Sequence, residues 1–142
     1  MKKALIFLLF TGIVMTSCRE KNLGEIEVLT LVDTTKSWDG NKLPKYPEGQ
    51  PNVKILKFTI PPKTKLPPHE HLVINAGVLL SGELTVVDEN NNKLYLKAGD
   101  PIVELVNTIH YGENEGTEPA EIIVFYAGAK DIPITLKKKM KN

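Results

Sequence analysis

From residue 26 to residue 136 the chain is cut by explicit turn signals into short runs of β-branched and aliphatic residues. No stretch sustains a helical period. Strands are expected at 26–32, 53–60, 73–80, 83–87, 93–96, 102–106, 121–126 and 132–136. The breakers between them are chemically specific. Ser81-Gly82 and Asp88-Glu89-Asn90-Asn91-Asn92 suit hairpins, Gly99-Asp100-Pro101 suits a tight turn, and Pro61-Pro62 with Pro67-Pro68 frame a loop. Many short strands at regular spacing predict an all-β sandwich or barrel. Residues 38–51 (WDGNKLPKYPEGQP) carry too much Pro and Gly for a regular element, so they are expected to wrap the barrel as a loop bearing Trp38 and Tyr46. With 142 residues and a formal charge of +1, one domain is expected, and nothing suggests the basic face of a nucleic-acid partner.

The chain has three histidines, and two of them, His69 and His71, stand one residue apart after Pro67-Pro68. Residues two apart on an extended chain point to the same side, whereas on a helix they diverge. The prolines favour the extended form, so both imidazoles face one way and Glu70 the other. The third, His110, lies beyond the strand expected at 102–106. Three neutral imidazoles on one side of a barrel suit Zn²⁺, Fe²⁺, Cu²⁺ or Ni²⁺.

These residues carry a resemblance to the cupin family, small jelly-roll barrels also described as double-stranded β-helices. The first family motif is a glycine, five residues, HxH, three or four residues, a glutamate, six residues and a glycine. His69, His71 and Gly82 fit it, with Lys63 at the first glycine and Asn75 at the glutamate. The second motif runs from a glycine through a proline and a second glycine to a histidine and an asparagine. Gly99, His110 and Asn114 match at full spacing, with Leu105 at the proline and Asn107 at the second glycine.

The resemblance implies an all-β cupin barrel whose metal ligands would be His69, His71 and His110, with Asn75 in the fourth place. An Asn carbonyl brings no charge, which disfavours Mn²⁺ most. Glu104, an isolated carboxylate in PIVELV, is a second candidate donor; the alternative is a charge on the outward face of its strand. Tyr111 and Asn114 are candidate pocket residues, and Tyr111 is equally readable as a core tyrosine. Two function classes remain open: a metal-dependent oxygenase or isomerase acting on a small organic molecule, and a barrel that binds a sugar or acid without turnover. Expected partners are that small molecule and, for assembly, a second copy in a homodimer. No phosphate loop, GxSxG elbow or CxxC pair is present.

The first residues, MKKALIFLLFTGIVMTSC, combine a basic start, an apolar stretch too short to span a bilayer, and small residues before the single cysteine. Residues 1–17 resemble a bacterial lipoprotein signal peptide, implying lipidation of Cys18 and an exported protein held at the cell envelope by that anchor alone. An ordinary secretory signal with an incidental cysteine is the alternative. Residues 18–25 read as a tether, 26–136 as the cupin domain, and 137–142 as a solvated basic tail.

Overall fold

A computed structural model describes residues 24 and 26–140. The signal segment, Cys18, most of the tether and the last two residues of the tail lie outside the described residues. Ten strands follow in chain order: β1 (Pro51–Ile60), β2 (Thr64–Lys65), β3 (His69–His71), β4 (Ile74–Ser81), β5 (Glu83–Asp88), β6 (Lys93–Lys97), β7 (Pro101–Val103), β8 (His110–Asn114), β9 (Ala120–Ala129) and β10 (Thr135–Lys137). They form two antiparallel sheets, ordered β1-β9-β4-β7 and β10-β3-β8-β5-β6, with β2 paired to β8. The described residues contain no helix.

Alternation along the strands makes the core. On β9, Ala120, Ile122, Val124 and Tyr126 are buried, while Ile123 and Phe125 face out. They meet Ile60, Leu79, Leu84, Val86, Leu96 and Ile102 in one apolar cluster. Trp38 packs against it from the 38–51 segment, and its backbone N–H donates to Val103 O at 3.0 Å, closing the β7 edge. Tyr46, on the same segment, remains exposed.

The four glycine positions of the two sequence motifs all adopt positive φ: Lys63 at 58°, Gly82 at 75°, Gly99 at 96° and Asn107 at 58°. The left-handed backbone therefore persists where the glycine does not, easily at Asn107 and at a cost of roughly 1–2 kcal/mol at Lys63. At Gly82 no other residue fits, because a Cβ would lie 2.6 Å from Pro119 O.

Four points of that reading require correction. Residues 26–32 belong to no strand and no sheet. β8 was not foreseen, because its inward positions are His110, Gly112 and Asn114, which give HYGEN no apolar alternation to detect. Lys137, placed in the solvated tail, is the last residue of β10. The strand expected at 102–106 ends at Val103, after which Glu104 and Leu105 turn toward the barrel interior.

Candidate metal centre

His69 and His71 lie on β3, and His69 is the register partner of His110 on β8. Residues directly opposite across an antiparallel pair point to the same face, so the two-residue spacing and this one pairing bring three imidazoles together. Ring centroids are 4.9 Å apart for His69 and His71, 4.6 Å for His69 and His110, and 5.0 Å for His71 and His110. One ring nitrogen from each lies within 4.8 Å of the others, and no second such cluster occurs among the described residues.

The tautomers follow from the partners. His69 Nδ1 lies 2.8 Å from Pro67 O, His110 Nδ1 2.8 Å from Thr108 O, and His71 Nδ1 3.3 Å from Ile134 O and 2.9 Å from Thr135 Oγ1. A carbonyl only accepts, so each Nδ1 carries the proton and donates, leaving a lone pair on each Nε2.

Glu104 completes the arrangement. Its backbone N–H donates to Asn75 O at 3.1 Å, continuing the β4–β7 ladder one step past Ala76 and Val103. Glu104 is thus the cross-strand neighbour of Asn75, which in turn faces Tyr126 on β9. Its side chain points inward, with Oε2 3.3 Å from His110 Nε2, which removes the outward-facing alternative. Asn75 is wholly buried; its amide donates to Val73 O at 3.2 Å and it does not line the pocket.

The electrostatics demand a cation. Glu104 Oε2 and His110 Nε2 face each other buried and without a hydrogen bond, as does Asn75 Oδ1. Two lone pairs at 3.3 Å repel unless a proton or a metal ion lies between them. Burial disfavours the charged form of His110, but Glu104 outweighs it and raises its pKa. Burial likewise pushes Glu104 up, yet the surrounding imidazoles, His110 first, hold it below the usual carboxylate value. A proton on His110 Nε2 would satisfy that nitrogen and Glu104 but leave the lone pairs of His69 and His71 without a donor. A divalent ion satisfies all three Nε2 atoms and the carboxylate, so the residues fit a metal.

The centre opens into a cavity of about 240 Å³. Its walls are mostly apolar, including Phe58, Ile60, Leu66, Leu84, Ile122 and Val124. Tyr126 also lines it, edge-on to His71 at 5.5 Å between centroids, and burial raises the pKa of its phenol, which stays protonated. Thr135 and Lys137 lie at the rim, opposite His71 and His69 respectively in the β10–β3 register.

Two expected pocket residues lie elsewhere. Tyr111 follows an inward histidine, so alternation turns it outward, where Lys65 Nζ sits 3.7 Å above its ring. Asn114 is buried in the frame: its amide donates to Ile60 O at 3.0 Å and Glu118 O at 2.9 Å, and its Oδ1 accepts from Gly116 N at 3.0 Å. Tyr126 and Lys137 were missed. Tyr126 shares the parity of Ile122 and Val124, a signal that was available; Lys137 had none, because β10 is only three residues long.

Two antiparallel sheets enclosing an apolar cavity with a three-histidine cluster define a jelly-roll barrel with a built-in metal-ligand constellation. The chain belongs to the cupin-domain family, whose model matches residues 56–126. No curated protein matches it. Among solved structures it is similar to an oxalate oxidase in complex with the substrate analogue glycolate, at 22% identity and TM-score 0.52 over 60% of this chain and 45% of that one. It is also similar to a DMSP lyase from Ruegeria pomeroyi, at 17% identity and TM-score 0.55 over 63% and 45%. A double-stranded β-helix protein from Klebsiella pneumoniae matches at 20% identity and TM-score 0.51 over 81% of this chain and 100% of that one. The likeness is one of fold, and the chain spans less than half of the oxidase and the lyase.

Proposed function

We propose that the protein holds one divalent transition-metal ion through Nε2 of His69, His71 and His110 and the carboxylate of Glu104, and binds a small organic acid beside it. The observation that carries this is the convergence of three imidazole nitrogens within 4.8 Å of one another, with a carboxylate oxygen 3.3 Å from one of them. An ion held there supplies Lewis acidity and, for iron, copper or manganese, a site for O₂. The chain's own residues do the rest. Carbonyl acceptors lock the three ring orientations, Glu104 lowers the formal charge of the centre to +1, and Tyr126 keeps its proton and donates from the pocket wall. These features favour a metal-dependent oxygenase or isomerase; the binding-only alternative uses the same pocket without turnover.

The walls select an acid over a sugar, because they offer few partners for several hydroxyl groups. Lys137 supports a carboxylate: it faces the pocket side of β10 and makes no ion pair among the described residues, whereas its neighbour Lys138 is held outside by Glu70 at 2.9 Å. In calorimetric titration of the metal-loaded protein, hexanoate should bind about tenfold tighter than hexanamide, and Lys137→Met should erase the difference while leaving metal content unchanged. Equal binding of acid and amide by the wild type rules out the acid; an absence of metal rules out the centre. O₂ uptake in the presence of a panel of small acids separates turnover from binding.

The N-terminal segment supports a lipoprotein held at the cell envelope through Cys18. In a bacterial host supplied with labelled palmitate, the wild type should take up label and Cys18→Ser should not. Equal labelling of both removes this part of the reading.

A further inference from the structure

Gly112 stands in the middle of β8, the strand that carries His110, and it is buried. Glycine weakens a strand interior, and it is kept there for a left-handed backbone, a bulge, or the close approach of another backbone or a ligand. The first reason is absent, because the φ of Gly112 is not positive. So is the second. β8 runs against β5 without a break in register, with Val86 opposite Gly112, and the one extra residue on its other side belongs to the segment 65–69.

The third reason separates the glycines within the described strands. The Cβ missing at Gly77 and at Gly128 would face a backbone oxygen, Ile123 O at 2.6 Å and Asn52 O at 3.6 Å. At Gly112 it would meet the ends of two side chains, Leu66 Cδ1 at 3.3 Å and Leu84 Cδ1 at 3.5 Å. Apart from its chain neighbours, no backbone atom lies closer to it than 4.0 Å. What remains is a ligand.

The cavity has room for one at this place. Gly112 is part of its wall, two residues along β8 from His110 and therefore about 7 Å from it on the same face. The polar side chains of the wall gather at the metal end, where Lys137 and Thr135 stand opposite His69 and His71. Past Gly112 the wall is Ile60, Leu66, Leu84 and Ile122, with no polar side chain. The volume of about 240 Å³ holds roughly eight non-hydrogen atoms at about 30 Å³ each. That is the size of hexanoate.

We propose that Gly112 determines the specificity of the pocket, its bare backbone letting the hydrocarbon tail of a monocarboxylic acid of about six carbons run from the metal end to the apolar end. The inference rests on the metal-pocket reading for the position of the carboxylate and on Gly112 for the tail. A second carboxylate at the apolar end would be buried without a partner, so the pocket rejects diacids.

Calorimetric titration of the metal-loaded protein with butyrate and hexanoate reads the tail. In the wild type the two added methylenes should tighten binding about fifteenfold, at about fourfold each. Gly112→Val places two methyl groups where the tail lies and should remove the difference between the acids. Gly112→Ala adds one carbon that a small shift of Leu66 relieves, and it should reduce the difference in part. Taking the ratio of two acids cancels any loss common to both, while metal content and the thermal transition show whether the barrel is intact. Adipate, a six-carbon diacid, should bind the wild type at least about tenfold more weakly than hexanoate. Butanamide and hexanamide separate tail from head. Equal binding of acids and amides ends the acid reading, whereas a preference for hexanamide over butanamide that Gly112→Val abolishes still supports the tail site. Equal binding of butyrate and hexanoate by the wild type, a preference that survives both substitutions, or adipate bound as tightly as hexanoate would each overturn the proposal.

Discussion

His110→Ala should bring bound metal to background, against about one equivalent per chain in the wild type. Four-ligand protein sites bind zinc with roughly 10–16 kcal/mol, so losing one of four donors costs about 3 kcal/mol or more, over a hundredfold in affinity. His71→Ala should behave alike. Glu104→Gln keeps the shape and removes the charge, so its loss should be larger for Mn²⁺ than for Zn²⁺. Asn75→Asp should not tighten binding, because Asn75 is wholly buried and a second carboxylate there would face Glu104 across one strand spacing. Metal that persists in His110→Ala would dismiss the centre. The pH dependence has a definite sign. Burial holds His71 down to about 4, so it stays neutral through the mildly acidic range. In the metal-free protein His110, raised by Glu104 beyond what burial takes away, is the group that accepts a proton. That proton occupies Nε2 below the raised pKa and must leave before the metal binds. As the pH is lowered, affinity measured against a chelator should therefore begin to fall before about pH 6.5 is reached, and by roughly tenfold per pH unit below the His110 pKa.

Asn114→Ala should be the most damaging substitution that leaves the metal in place. Asn114 has no exposed surface, and its side chain satisfies the carbonyls of Ile60 and Glu118 and the amide of Gly116. Alanine leaves the Ile60 carbonyl without its donor in the interior and frees the Glu118 carbonyl and Gly116 amide in a partly exposed turn. At about 1–3 kcal/mol for the buried group and less for the two that water can reach, the loss should be about 2–4 kcal/mol. For a domain of this size that lowers Tm by roughly 8–16 °C. Calorimetry reads the transition, and elemental analysis below it should still find one metal per chain. Loss of metal with little change in Tm would instead place Asn114 at the pocket.

What was legible in the sequence is what depends on neighbours along the chain. Strand and turn chemistry marked the barrel, the spacing of His69 and His71 set two imidazoles on one side, and the motif spacing placed His110 with them. The first two follow from backbone geometry over a few residues, which survives wherever the segment is packed; the place of His110 was implied by the likeness of its motif to the cupin family and is made by its pairing with His69. The tertiary structure decided the rest. The carboxylate absent at Asn75 is supplied by Glu104, nearly thirty positions later, because antiparallel pairing of β4 with the segment after β7 sets the two side by side on one face. Tyr126 and Lys137 enter the pocket through the registers β4–β9 and β10–β3, while alternation sends Tyr111 outward and backbone hydrogen bonds hold Asn114 in the frame. Residues 26–32 have a strand's composition and find no strand to pair with in the single chain. Side-chain chemistry and spacing along a strand are local properties, but which strands lie side by side is settled only when the sheets close. A donor that reaches the centre across a sheet therefore leaves no pattern along the chain.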